Sequence, residues 1–372
     1  MEQTTIFDFL PEEDAAPFKP KKSTDWKWTM AEDYPKEKNG LKVFSCFACG
    51  GGSTMGYKLA GCEVIGCCEI DPRMNERYIK NHHPKHNFCM DIRKFNEIPN
   101  EDLPEELLNL DILDGSPPCT TFSMSGLREE SWGKVKKFRE GQADQTLDDL
   151  SFIFIDTVAK LRPRVVLMEN VEGLLKGEAW SYVQKIYADF HRIGYKVNHW
   201  LVMGEHMGVP QTRHRAIFIA LRDDIDFDLT RLDMSFNYEP VLFGEIRSEH
   251  GTPIKGETLN WLCEHFQYGD DKLSRANIRL KGQDSFFNNN YIYDEKVAPT
   301  LPAKCVNVRV CDKKYMSCQD IINASTFPQD YDFGTKSVTN VHYICGMSVP
   351  PIMIKRVVTR LIESGLFDKK EE

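Results

Sequence analysis

Several short stretches of this chain are apolar at every position: "VIGCC" at 64–68, "VVLM" at 165–168 and "AIFIAL" at 216–221. A strand that faces water on one side alternates polar and apolar residues. A strand without alternation must be covered on both faces, and helices between strands supply the covers. Leu147, Leu150, Ile153, Phe154, Val158 and Leu161 recur at helical spacing and mark one such helix. "LKVFSC", "NFCMDI", "LDILDG" and "YKVNHWLV" read as further strands. The chain is therefore expected to be α/β, built on a mostly parallel sheet. After Arg222 the pattern weakens. Residues 223–300 mix turn residues and aromatics without a helical stripe and read as a loop-rich inserted module. Regular helix returns near the end, where Ile354, Val357, Val358, Leu361 and Ile362 share one face and Gly365 is a stop. The expected division is a flexible polar tail over 1–40, a catalytic body over 41–222 plus 346–372, and a second domain over 223–345.

The chain has no apolar run long enough to span a membrane and no signal-peptide pattern. Its 12 cysteines lack zinc-ligand spacing, so no metal site is expected, and a reducing, cytoplasmic setting fits best. The net charge of −9 does not by itself suggest a nucleic-acid partner. The charge is unevenly spread, however. Bases gather in Gly126–Gln142 and in Leu273–Tyr315, where Arg275 and Arg279 lie, and these are candidate phosphate-facing surfaces or simply solvated faces.

The chemistry-bearing residues sit at strand ends. "FACGGG" (Phe47, Cys49, Gly50, Gly51, Gly52) follows a strand and opens a helix, so it is either a ligand-cradling turn or a tight structural one. Glu69 ends the next strand, where an acid can accept from ribose hydroxyls. Asp91 ends a third and could meet a base edge. Pro117 and Pro118 stiffen the turn that carries Cys119. Glu169 follows the apolar run "VVLM". A thiol and a carboxylate at neighbouring strand tips can converge on one substrate. Arg213 and Arg215, two apart, share a face if the segment is extended, as a carbonyl or phosphate site or as surface salt bridges.

Taken in order, Phe-Ala-Cys-Gly-Gly-Gly, a strand-end Glu, Pro-Pro-Cys, Glu-Asn-Val and Gln-Thr-Arg-His-Arg resemble the cytosine-C5 DNA methyltransferases of prokaryotic or phage type, over about 41–222 and 297–366. The resemblance implies a Rossmann-like catalytic domain and a smaller, loop- and strand-rich target-recognition domain. It implies S-adenosylmethionine as cofactor and double-stranded DNA as substrate, with the target cytosine flipped out. Cys119 would add to C6 of the base, Glu169 would hold or protonate N3, Arg215 would bind the O2 side and Arg213 would support the site. Phe47, Cys49, Gly50, Gly51, Gly52, Glu69, Ile70, Asp91, Ile92, Pro117, Ser348 and Val349 would line the cofactor. Ser123, Gly126 and Arg128 in the basic loop, together with Arg275 and Arg279, would contact DNA. The enzyme would act as a monomer associated with the nucleoid through DNA.

Two departures from the family pattern stand out. Met347 replaces the usual Asn in "GMSVPP", and Gln319-Asp320 stands where Arg-Glu is expected, so the domain junction is expected to be held differently. An RNA methyltransferase of the same mechanism is the nearest rival, but the Cys-Phe-Thr motif of the tRNA branch is absent from 223–300. A catalytically silent relative should have lost Cys119 or Glu169, and both are present. Finally, Gln3, Ile6 and Phe7 in "MEQTTIFDFL" resemble the bacterial sliding-clamp-binding pentapeptide. Packing of Ile6 and Phe7 on the enzyme's own surface is the alternative.

Overall fold

A computed structural model describes residues 20–118, 150–282, 289–303 and 307–368. Its strands are β1 (Lys42–Cys46), β2 (Glu63–Cys68), β3 (His86–Phe88), β4 (Ile112–Gly115), β5 (Val165–Val171), β6 (Tyr195–Met203), β7 (Gln211–Thr212), β8 (His214–Arg222), β9 (Tyr291–Ile292), β10 (Ala298–Pro299), β11 (Val308–Arg309) and β12 (Lys314–Tyr315). Its helices are α1 (Met30–Asp33), α2 (Gly52–Leu59), α3 (Pro72–His82), α4 (Ile92–Glu97), α5 (Leu150–Leu161), α6 (Trp180–Arg192), α7 (Phe243–Ile246), α8 (Glu257–Glu264), α9 (Leu273–Lys281), α10 (Cys318–Ala324), α11 (Val338–Met347) and α12 (Pro351–Glu363). Among the described residues no helix is long and apolar enough to cross a membrane.

The main sheet has seven strands in the order β3-β2-β1-β4-β5-β8-β6. The strands from β3 to β5 run parallel, and β8 is antiparallel to both β5 and β6. The apolar runs are buried as expected: β4 is buried throughout, and Val165 to Asn170 of β5 are too. One face of the sheet packs against α4, α5 and α6 through Phe95, Phe154 and Ile186. The other packs against α2 and the C-terminal helices through Met55, Ile354 and Val358. The strand order reverses direction between β1 and β4, and in open α/β sheets the crevice at such a switch point is where ligands bind.

Two of the helices that leave this edge, α3 and α4, start from acids. Asp71 accepts from the backbone N–H groups of Arg73 and Met74 and caps α3, with Pro72 in its first turn. Asp91 accepts from Arg93 N and caps α4.

The packing corrects two expectations. Residues 20–40, expected within a flexible tail, form a docked arm. Trp28 is buried, its indole Nε1 donates to Thr326 O at 2.8 Å, and its carbonyl accepts from Gln329 N. Asp330 receives the N–H groups of Met30 and Ala31, and Asp25 pairs with Arg356 on α12 at 2.5 Å. Trp26, Trp28 and Tyr34 are scattered through a polar stretch without a regular period, so the docking has no sequence signature.

The expected second domain is also narrower than 223–345. Leu229, Met234, Phe243, Ile321, Phe327 and Tyr343 all belong to the main core. A separate small core holds Leu262, Cys263, Leu273, Ala276, Tyr291, Tyr293 and Val308. It includes the helices α8 and α9, in a region read from sequence as lacking a helical stripe; each is short enough to hide its periodicity. β12, β11 and β9 form the lobe's sheet.

Where the lobe meets the body, Arg309 is fully buried and pairs with Asp320 at 3.2 Å and Asp312 at 3.1 Å. Asp320 also accepts from Ser248 N and Ser317 N and completes a capping box at α10. The junction is thus held by Arg309 with Asp320, in place of the Arg-Glu pair of the family pattern.

Replacing Trp28 by Ala empties a buried site and orphans Thr326 O. Denaturant unfolding should show a loss of about 3 kcal/mol. A change below about 0.5 kcal/mol would mean that the arm does not contribute to the fold.

Candidate active site and cofactor cleft

A cleft opens at the C-terminal ends of β1 to β4. Phe47, Cys49, Glu69, Ile70, Asp91 and Ile92 line it. They are joined by Asp71, Met74, Ser116, Pro118 and Tyr343, among others, which the sequence did not mark as lining, and by Met347, which it marked as a departure from the family pattern. Tyr343 and Met347 come from α11, far along the chain, and only the tertiary fold brings them here. Met347, in the position usually held by Asn, contributes apolar wall.

The turn after β1 is held in an unusual conformation. Phe47 and Cys49 both have positive φ, +56° and +47°, which costs non-glycine residues energy and is tolerated where surroundings enforce it. The enforcement is visible. Phe47 N donates to Cys68 O at 2.9 Å, and Cys49 N donates to Glu69 Oε2 at 2.7 Å. The other oxygen of Glu69 accepts from Asp71 N at 2.8 Å. Glu69 is buried, and burial pushes its carboxyl up while the two backbone donors pull it back. It is therefore a positioned acceptor with lone pairs left for a ligand.

Gly50, Gly51 and Gly52 do not line the cleft. Gly51 has φ +85°, and a Cβ there would lie 2.0 Å from His82 Nε2. A Cβ at Gly50 would meet Ile344 at 2.8 Å, and one at Gly52 would meet Val349 O at 2.3 Å. These glycines are required by close protein packing rather than by ligand approach. Ser348 and Val349 back the turn from behind, and Pro117 lies between two lining residues.

On the neighbouring strands, Glu169 lies two residues before the end of β5 and pairs through Oε1 with Arg215 Nε at 2.6 Å; both side chains are largely buried. In the β5–β8 ladder Glu169 opposes Ile217, so Arg215, two residues away, shares its face. Arg213 goes elsewhere, because the chain breaks between β7 and β8. It is buried and donates to the carbonyls of Leu301 and Gly346, both at 3.2 Å. Neither arginine is a surface salt bridge. Cys119, Ser123, Gly126 and Arg128 lie outside the described residues, as do Gln3, Ile6 and Phe7; Pro118, the last residue before Cys119, borders the cleft. Of the thiols in the cleft, Cys49 is held inert: burial pushes it up to about 12.

On the lobe, Arg275 is exposed and pairs with Asp271 at 3.0 Å. Arg279 is committed to Asp270 at 2.9 Å and to His265 O. Lys281 lies 4.4 Å from the centre of the Trp261 ring.

The residues fit an adenosylated, amine-bearing ligand. Phe47, Ile70 and Ile92 offer apolar faces for a flat ring, Glu69 is an aimed acceptor, and Asp91 stands at the next strand end. The Glu169–Arg215 pair sits on the same sheet edge and can hold the polar edge of a second, planar substrate.

A family model described as C-5 cytosine-specific DNA methylase matches residues 41–363. The chain is 32% identical over 359 residues to the type II methyltransferase M.FnuDI of Fusobacterium nucleatum, covering 89% of this chain and 96% of that protein. It is 30% identical to the type II methyltransferase M.NgoPII of Neisseria gonorrhoeae over 197 residues, 53% of this chain and about half (52%) of that protein. In structure it is similar to the Dnmt2 methyltransferase of S. pombe, with a TM-score of 0.60, 13% identity and coverage of 88% of this chain and 99% of that one.

Below the cleft, burial pushes the Asp114 carboxyl up to about 7, against the hydroxyls of Ser45 and Tyr57, from a usual value of 3.8. Between those two values the folded state binds a proton that the unfolded state has released. Stability from this group is therefore full below about 4 and is lost as pH rises to about 7. Thermal melting of Asp114→Asn across that range should show a shallower fall with pH than the wild type. Parallel curves would show that Asp114 keeps an ordinary carboxyl.

Proposed function

Because the chain belongs to the family of C-5 cytosine-specific DNA methylases, we propose that it methylates C5 of a cytosine flipped out of a short specific sequence in double-stranded DNA, using S-adenosylmethionine and a covalent bond from Cys119. The observation that carries this reading is the shared sheet edge: the cleft, the Glu169–Arg215 pair and the Pro117-Pro118 turn into Cys119 all meet there.

Cytosine C5 is a poor nucleophile. Addition of the Cys119 thiolate to C6 makes the ring an enamine and activates C5. Glu169, held by Arg215, donates to or protonates N3 and so spreads the charge that develops on the ring. Arg215 faces O2. Arg213, spent on two backbone carbonyls, supports the site by fixing the segments around it rather than by touching the base. When bound in the cleft, S-adenosylmethionine would supply the methyl group; Glu69 is the residue that would hold its ribose and Asp91 the one that would meet its adenine amine. Solvent water takes the C5 proton, the Cys119 thiolate departs from C6, and N3 returns its proton to Glu169, which releases 5-methylcytosine. The ring face that Cys119 attacks is stacked inside a duplex, so the base must leave the helix.

The lobe around α8 and α9 is the target-recognition module. Ser123, Gly126, Arg128 and Arg275 are its partners on DNA. Arg275 can exchange its exposed ion pair for a phosphate at little cost, whereas Arg279 serves the lobe's own structure. The type II relatives favour DNA over RNA as substrate. The tail adds a tether: Gln3, Ile6 and Phe7 dock in a bacterial sliding clamp and raise the enzyme's local concentration at new DNA.

Wild type should form a covalent adduct with DNA containing 5-fluorocytosine, because fluorine blocks the final elimination. Cys119→Ser should bind cofactor but form no adduct, and an adduct surviving in that variant would refute the role of Cys119. For the tail, a fluorescent peptide of residues 1–12 should bind a bacterial clamp with micromolar affinity, and a peptide with Gln3, Ile6 and Phe7 changed to Ala should not. Equal binding by both peptides would remove the tether.

A further inference from the structure

A polar cluster beneath the cleft has no part in the steps above. Ser45 on β1 and Asp114 on β4 are paired neighbours in the sheet. Each lies two residues before a cleft residue, Phe47 and Ser116 respectively. Asp114 is 1% exposed and accepts from Ser45 Oγ at 2.6 Å and from the Tyr57 hydroxyl at 3.2 Å. Among the described residues no cation forms an ion pair with it. The titratable groups that face it are Cys46 on β1, Tyr57 on α2, Tyr78 on α3 and Glu169 on β5. None of these carries positive charge, and the nearby Arg215 is spent on Glu169. A carboxyl with only hydroxyl partners, in so dry a place, gains strongly from any cation brought near it.

We propose that Asp114 acts from beneath the cleft as an electrostatic selector, favouring a cationic nucleoside ligand, the sulfonium methyl donor, over the neutral thioether left after transfer. The inference rests on the cofactor reading of the cleft. It assigns Asp114 no contact with the ligand, because the side chain is sealed below the floor, so the selection works through the field alone. Docking of the sulfonium favours ionised Asp114, and the carboxyl releases its proton to solvent. Transfer of the methyl group removes the positive charge, the carboxyl takes a proton back, and the hold on the product weakens. The same group thereby favours loading of the donor and departure of the spent product.

The test is calorimetric binding of S-adenosylmethionine and of S-adenosylhomocysteine to the full chain at about pH 5.5 and about pH 7.5, values that bracket the titration of Asp114. The ratio of the two affinities should rise about fivefold in favour of the sulfonium over that range, as expected for one charge acting across a partly screened separation. Asp114→Asn should bind the thioether as the wild type does but show a ratio that does not change with pH. Tyr57→Phe keeps the carboxyl, removes one donor to its charged form and should move the rise to higher pH. A flat ratio in the wild type, a rise that persists in Asp114→Asn, or a rise unmoved by Tyr57→Phe would each overturn the selector. Failure of the wild type to bind either ligand would instead overturn the cofactor reading on which it rests.

Discussion

The turn at Gly50–Gly52 has no room for side chains because two later parts of the chain press against it, and the whole site depends on that contact. Two side chains reach the Gly50 carbonyl, His82 of α3 at 3.1 Å and the Tyr331 hydroxyl at 2.8 Å. Val349 O and Ile344 fill the space where side chains would be. Arg213 fastens the returning segment at Gly346 O. With α11 seated in this way, Tyr343 and Met347 become a wall of the cleft. A methyl group added at Gly52 would push α12 away and open the cleft at the same time.

Buried charge is handled in two ways. Glu169 with Arg215 and Arg309 with Asp320 are paired at short range and further hydrogen-bonded, which is what a charge needs away from water. The first pair places a carboxylate on the sheet edge that bears the cleft. The second holds the neck between lobe and body, with Ser248 and Ser317 of the two connecting segments bound to the same Asp320. Asp114 is the exception, with hydroxyls where a cation would be expected.

The sheet was legible in the sequence because strands covered on both faces cannot hide: "VVLM" and "AIFIAL" have nowhere to go but inside. Glu69, Asp91 and Glu169 were legible as acids at the ends of such runs. The reason for the three glycines was not, since the same turn serves a ligand or a packed helix equally well, and the sequence does not say which chain segment comes back. Tyr343, Met347 and Trp28 act through contacts made across hundreds of residues, and no local pattern records these. The lobe's helices were missed because eight or nine residues hold too few turns for a stripe to show. Nothing in the local sequence separates Asp114 from a strand-end acid such as Glu69. Only its position one step inside the edge, under Ser116, separates a buried group from one that meets a ligand.

The order in which the cleft is assembled has a consequence for biosynthesis. β1, α2 and β2, which flank Phe47 and Glu69, leave the ribosome well before the opposing wall at Tyr343 and Met347, which follows them by hundreds of residues. A growing chain can build its sheet early and still lack a closed pocket for the methyl donor. A chain that stops short of α11 is thereby left without one wall of the cleft.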